Sequence, residues 1–369
     1  MKGQRALLAL LFAVQLGVSV VSSFRGKETD LAAYRSAATA LVEGRNPYAD
    51  TARPYLYPPL LAVALTPLRA LTDPWLSWLW AIASAAAITA SVGLLARDEL
   101  GVENRWLVPA AILYAPFAAT QWNGQVNGFV LLALVAARRW LDDGREVRAG
   151  AALGLALALK PIALLVAVWL VCSGRWRAAA TAAAVVAFSF LLVVPFLGWS
   201  SLLGSAESVV HILSAPWTEP YAANISLNGT LDRLVPAGAG TLRTQLVSAL
   251  VAGGTLVAAL LAGRTAARQK LPFGAAAVDA LVAATLLGAG APWLHHSTLL
   301  FPAVTLGSNL VVSIITLLYG VAAAWHRAEE LGGGGAAAAA AAAGTCGLAI
   351  VWVDSLRRLR SSGAPRVLK

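Results

Sequence analysis

KETDLAAYRSAATALVEGRNPYADTARPYLYPPLLAVALTPLRAL, residues 27–71, decides how the rest of the chain is threaded. A carboxylate, Asp30, stands directly after an apolar first run, and an aromatic, proline-rich loop follows it. The stretch ends in a short apolar piece, Tyr57–Leu71, interrupted by Pro58, Pro59 and Pro67. Crossing a bilayer takes roughly 20 apolar residues, and proline breaks helices. The piece therefore reads as a helix lying in or dipping into the outer membrane interface. Were it to cross, every later loop would change sides.

The surrounding composition requires a membrane. Of 369 residues, 59% are hydrophobic and only 12% charged, with a mean hydropathy of +0.70. That is too little charge to cover a soluble protein. Apolar runs recur along the whole length, which predicts an all-α polytopic membrane protein. Residues 1–369 read as one membrane-embedded domain, with 25–74 as an outer loop bearing interfacial helices and 198–243 as a second outer loop. The net charge of +10 sits in short loops between apolar runs, as the positive-inside rule expects, so nucleic acid is not the partner. Cys172 and Cys346 lie far apart in apolar stretches and suggest neither disulfide nor metal. The N-terminus, MKGQRALLALLFAVQLGVSVVSS, resembles a signal peptide, but an uncleaved first span is the favoured reading.

Ala6–Phe24 leads outward from a cytoplasmic N-terminus marked by Lys2 and Arg5. Trp75–Arg97 returns inward, Trp106–Thr120 goes out, and Gly128–Trp140 comes back to Arg138, Arg139, Arg145 and Arg148. Ala149–Leu159 and Pro161–Cys172 are each too short to span and meet at Lys160, as a pair that rises to the outer side and returns to Arg175. Residues 178–197 cross outward. Spans near 244–263, 276–291, 294–307, 310–325 and 336–356 complete about twelve crossings, with a cytoplasmic C-terminus at Arg357, Arg358 and Arg360. A crossing by Tyr57–Leu71 would put the Arg138–Arg148 cluster outside. No repeat links the two halves, which counts against a secondary transporter. The alanine-rich tract 332–343 reads as a turn and a plain helix.

This path collects the unusual polar segments on the outer face: Glu28–Pro59, Gln121–Asn127, Lys160-Pro161, residues 198–243, and Pro292–His296. Asp30 suits two roles, since Thr29 or Asp30 would also cap a helix ending at Gly44. Lys160 is either functional, because a buried lysine in a membrane is costly, or snorkelling to the interface. His295 and His296 are half of the four histidines; solvation is the plain reading, phosphate binding the functional one. The basic residues Arg25, Lys27, Arg35, Arg45 and Arg53 run against the positive-inside rule. They fit either an interfacial helix touching lipid phosphates or a vestibule for anionic lipid substrates.

Asp30, then Glu43-Gly44-Arg45-Asn46-Pro47-Tyr48, then Tyr57-Pro58-Pro59-Leu60, resembles glycosyltransferase family 87. Gly124-Gln125-Val126-Asn127, Ala158-Leu159-Lys160-Pro161, Asn224-Ile225-Ser226-Leu227 and Pro292-Trp293-Leu294-His295-His296 are similar to further segments of that family, over residues 20–310. The resemblance implies a GT-C-like fold and a mannosyltransferase that takes its sugar from a polyprenyl-phosphate carrier. The acceptor would be a hydroxyl of a glycolipid or envelope glycan. It implies Asp30 as base. The chemistry of such a transfer then suits Lys160 with His295 or His296 to the donor phosphate, Tyr34, one turn from Asp30, to orienting it or substrate, and Tyr48, Tyr57, Trp122, Gln125, Asn127 and Asn224 to substrate. No cofactor and no metal are expected, and membrane lipids are the surroundings. Arabinofuranose from a decaprenyl carrier is an alternative donor. A transporter using Lys160 and Asp279 is the alternative function.

Overall fold

The computed structural model describes residues 2–24, 29–48, 55–72, 74–98, 107–199, 201–214, 224–234, 240–269, 272–289, 292–305, 318 and 334–362. Among them nearly everything is helix, and the β pairing is confined to an isolated antiparallel bridge between Asn224 and Trp293. Among the described residues, four helical segments are long and apolar enough to cross a bilayer: Gly3–Phe24, Trp75–Ala96, Trp176–Leu197 and Leu242–Arg268. Large apolar side chains on them, including Leu10, Ile82, Phe188 and Leu250, are exposed, the kind of surface that lipid covers. This is a membrane protein.

Helix α1 (Lys2–Phe24) leads into α2 (Thr29–Val42), and α3 (Leu60–Leu65) passes directly into a 3-10 turn, Thr66–Ala70. At ~1.5–2 Å of rise per residue this piece is too short to cross a bilayer. The long α4 (Trp75–Asp98) packs against α1. The expected span from Trp106 is instead broken into α5 (Leu107–Leu113) and α6 (Ala115–Trp122). The break falls at Tyr114, whose extended ψ of 95° precedes Pro116 in the first turn of α6, where the proline lacks an N–H to continue α5. Next come α7 (Asn127–Asp142) and α8 (Glu146–Leu159), then Lys160 in extended conformation, a 3-10 turn at Pro161–Ala163, and α9 (Leu164–Cys172). After α10 (Trp176–Leu191) and α11 (Val194–Leu197), the second loop carries α12 (Ser201–Ser214) and α13 (Leu227–Leu234). Helices α14 (Gly240–Arg268) and α15 (Gly274–Gly288) follow. The segment read as a span at 294–307 is a buried 3-10 helix, Leu294–Leu300, running into α16 (Phe301–Thr305). The expected span 310–325 lies outside the described residues apart from 318. Helix α17 (Gly334–Ser362) is the last among the described residues.

Lipid offers little hydrophobic drive for helices to associate, so close packing must supply it. Gly150 and Gly154 on α8 supply it against α10: an added Cβ would lie 2.3 Å from the Ala178 carbonyl oxygen at the first and 2.7 Å from Val185 Cβ at the second. Residue 150 meets 178 and 154 meets 182, so α8 and α10 run parallel and α9 carries the chain back between them. At one end of the bundle Arg138 of α7 grips Asp279 of α15 at 2.8 Å, and Arg358 of α17 stands 3.8 Å from the same carboxylate. Asp279, considered above as a transport residue, is thus a buried counter-ion tying three helices. The chemistry-bearing residues gather at the other end.

Candidate active site

The loop between α6 and α7 sets the geometry. Gly124 adopts φ 65°, a left-handed conformation that glycine takes without strain. It closes α6 with two bonds, Gly124 N–H to the Gln121 carbonyl at 3.1 Å and Gln125 N–H to the Thr120 carbonyl at 2.9 Å. The reversal turns Gln125, 2% exposed, into the protein. The Asp30 N–H donates to the Asn123 carbonyl at 3.2 Å, so the start of α2 is fastened to the same loop.

Gln125 is the centre of the cluster. Its Oε1 accepts from Lys160 Nζ at 3.2 Å, Tyr34 Oη at 3.2 Å and Tyr57 Oη at 3.4 Å, and its side chain hydrogen-bonds the Asp30 carboxylate. Lys160 Nζ also donates to Asn127 Oδ1 at 3.0 Å and stands 5.3 Å from the Tyr57 ring centroid. Asn127 in turn donates to the His295 carbonyl at 2.9 Å. Lys160 is only 6% exposed. It owes its position to the one-residue break between α8 and the 3-10 turn at Pro161, where the proline cannot continue the ladder and the side chain is released towards Gln125 and Asn127. It does not snorkel.

Helix α2 begins at Thr29, which puts Asp30 one residue inside the first turn. Burial raises the pKa of its carboxyl above the ordinary value of 3.8, while the Lys160 charge and the Gln125 hydrogen bond pull it back. Lys160, outside the four membrane-crossing segments, is pushed down to about 7 by the same burial, against the pull of Asp30. A carboxylate and an ammonium share one sparsely solvated site, which is a frequent arrangement in functional centres.

Of the expected residues, the structure brings together Asp30, Tyr34, Tyr57, Gln125, Asn127 and Lys160. Tyr48 supports them from outside, donating to the Tyr57 carbonyl at 3.1 Å. His295 is connected through its backbone carbonyl to Thr120 and Asn127, and its ring lies 4.4 Å from that of His296. His296 Nδ1 accepts the Trp293 N–H at 3.0 Å, so that nitrogen carries no proton. Asn224 turns its side chain to its own loop, its Oδ1 accepting from Ser226 N–H and Oγ, and Ser226 Oγ accepts from Gly229 N–H to cap α13. Trp122 is half-buried at the end of α6, and its carbonyl receives Ser22 Oγ of α1. Of the five basic loop residues, Arg25, Lys27 and Arg53 lie outside the described residues; Arg35 donates to the Leu71 carbonyl at 3.2 Å and Arg45 pairs with Glu43.

Sequence reasoning missed two contributors. Tyr55 packs against Tyr34, Tyr48 and Tyr57, donates to the Pro58 carbonyl at 2.8 Å and receives the Ala62 N–H at 3.1 Å, fixing the loop to the start of α3. Thr120 bridges α6 to the late segment through Thr298 at 2.7 Å. The signal was present in both: a third tyrosine beside Tyr57, and a hydroxyl in an otherwise apolar helix. No group of histidine, cysteine and carboxylate side chains able to hold a metal occurs among the described residues.

Comparison with curated proteins gave no match, and neither did comparison with solved structures. The family description that does match, Glycosyltransferase family 87, aligns with residues 55–288. That interval holds Tyr57, Gln125, Asn127, Lys160 and Asn224, and leaves out Asp30, His295 and His296. It covers more than half of the 369 residues, and the chain belongs to glycosyltransferase family 87.

Proposed function

We propose that this glycosyltransferase moves mannose from a polyprenyl-phosphate carrier to a hydroxyl of a glycolipid or envelope glycan. The site faces the outer side of the plasma membrane, both termini are cytoplasmic, and the fold is of the GT-C type with about twelve crossings. What supports this reading is the pairing of one carboxylate with one buried cation across Gln125. Glycoside hydrolysis usually needs two carboxylates, one of them to protonate the leaving oxygen. A lipid phosphate leaves as a stable anion, so a base and a cation suffice.

In the proposed step, the Asp30 carboxylate accepts the proton of the acceptor hydroxyl. The acceptor oxygen bonds to the anomeric carbon as the bond from that carbon to the phosphate oxygen breaks. The electron pair stays with the phosphate, whose charge Lys160 offsets in a water-poor site. His295 and His296 border the same space and serve the phosphate. Direct displacement inverts the anomeric centre, so a β-linked donor gives an α-mannoside. Trp122, half-buried at the end of α6, would offer its ring to sugar or prenyl chain, and Tyr34 and Tyr57 would act on substrate through the Gln125 cluster.

The test is transfer of labelled mannose from polyprenyl-phosphate mannose by membranes containing the protein, beside an Asp30→Asn variant. Transfer by the native chain and its loss in a normally inserted variant are expected. Unchanged transfer by Asp30→Asn refutes the mechanism, and labelling only from a decaprenyl-linked arabinofuranose refutes the choice of sugar.

A further inference from the structure

The Gln125 side chain is buried, and its orientation is forced by chemistry. The Lys160 ammonium has only N–H bonds to offer, so the group 3.2 Å from it must be the amide oxygen. The two tyrosine hydroxyls converge on that same oxygen. The amide nitrogen is thereby turned the other way, and the Asp30 carboxylate is what it meets. Three donors on one carbonyl exceed its two lone pairs, which leaves the oxygen saturated and unable to accept from a substrate hydroxyl.

We infer that Gln125 is a positioning residue rather than a substrate ligand, its oxygen anchored by Lys160, Tyr34 and Tyr57 so that its N–H₂ holds the Asp30 carboxylate in one orientation. The inference rests on the proposed role of Asp30 as base. It adds that the base is aimed by a side-chain amide from a different segment of the chain, the Gly124 turn. The groups facing Asp30 are Lys160 from the break after α8, Tyr34 from its own helix and Tyr57 from the loop before α3. His295 and His296 stand next in line beside Lys160.

A hydrogen bond to an ionised group favours ionisation. Replacing Gln125 removes that bond and moves the acidic limb of the transfer rate upwards. The experiment measures pH profiles of mannose transfer, each normalised to its own maximum, for the native chain, Gln125→Met and Gln125→Glu. Gln125→Met should shift the acidic limb up by about one pH unit. Gln125→Glu keeps the oxygens that Lys160 and the tyrosines bind, but sets a like charge beside Asp30, and should shift it further. If Gln125 merely fills space or binds sugar, the maximum rate or the KM changes while the limb stays in place, and that result overturns the inference. Where a variant is too slow to profile, the infrared carboxyl band lost in Asp30→Asn is titrated in purified protein, and titration at the native pH overturns the inference equally. Asp30→Asn separates the two ideas, because transfer surviving in that variant defeats the base itself, whereas an unmoved limb with Asp30→Asn inactive defeats only the role of Gln125.

Discussion

Replacing Asp279 by asparagine tests whether the buried charges far from the candidate site are structural. Arg138 and Asp279 expose 7% and 3% of their side chains and meet through two contacts, 2.8 Å and 3.0 Å. Removing one member of such a pair leaves a buried, uncompensated charge and costs about 3–5 kcal/mol. Asparagine retains one oxygen that can accept from Arg138, which restores about 1 kcal/mol, so a loss of about 3 kcal/mol is expected. Arg358 limits the damage further, since Asp354 lies 3.0 Å from it and balances its charge. Against a total stability of roughly 5–15 kcal/mol the loss is large. Reversible unfolding of the detergent-solubilised protein measures it, in a cycle with Arg138→Met. The double variant should lose at least about 1 kcal/mol less than the sum of the singles, as contacting residues do. The proposed sugar transfer by Asp279→Asn, assayed well below its Tm, should persist because the ion pair and Asp30 lie at opposite ends of the bundle. Native stability together with abolished transfer would refute this reasoning and return Asp279 to a functional role.

Three further outcomes follow from the site and its packing. The proposed mechanism needs Asp30 ionised and Lys160 protonated, so kcat/KM should rise with pH through the raised pKa of Asp30 and fall again through about 7. A bound phosphate donor, as proposed, would stabilise the Lys160 charge, so the alkaline limb of kcat should then lie above that of kcat/KM. Lys160→Met should lower kcat/KM by about 10²–10³ and abolish the alkaline limb, and Lys160→Arg should not restore it, because a planar guanidinium cannot replace a compact ammonium between Gln125 and Asn127. Gly150→Ala puts a methyl 2.3 Å from the Ala178 oxygen; it should lower the Tm by forcing α8 from α10, while the pH profile of transfer keeps its shape.

Much of the helical architecture was legible because apolar length is a local property. The limits of α4 and the non-crossing character of the Tyr57–Leu71 piece follow from runs of hydrocarbon punctuated by proline. The turn at Gly124 and the break at Lys160-Pro161 are equally local. The division at Tyr114 and the 3-10 helix at Leu294–Leu300 were not legible. An apolar run containing one or two prolines reads alike whether it bends or crosses, and its neighbours decide. Asn224 illustrates a different limit: its Asn-x-Ser-Leu element resembles a family motif, and only the structure shows that its Oδ1 also holds the turn that caps α13.

The sequence by itself determined that the chain lives in a membrane and carries few ionisable groups outside its basic loops. Asp30 and Lys160 stood out for the same reason, since polar residues amid hydrocarbon need partners. Only the tertiary structure decided which partners they have. Asp30, Gln125 and Lys160 lie on three separate segments, and hydrogen-bond geometry, which no linear spacing encodes, joins them through a single amide. The same principle separates Lys160 from Asp279: two charges equally out of place in the sequence, one facing a carboxylate and an amide oxygen beside the candidate base, the other locked between arginines at the far end.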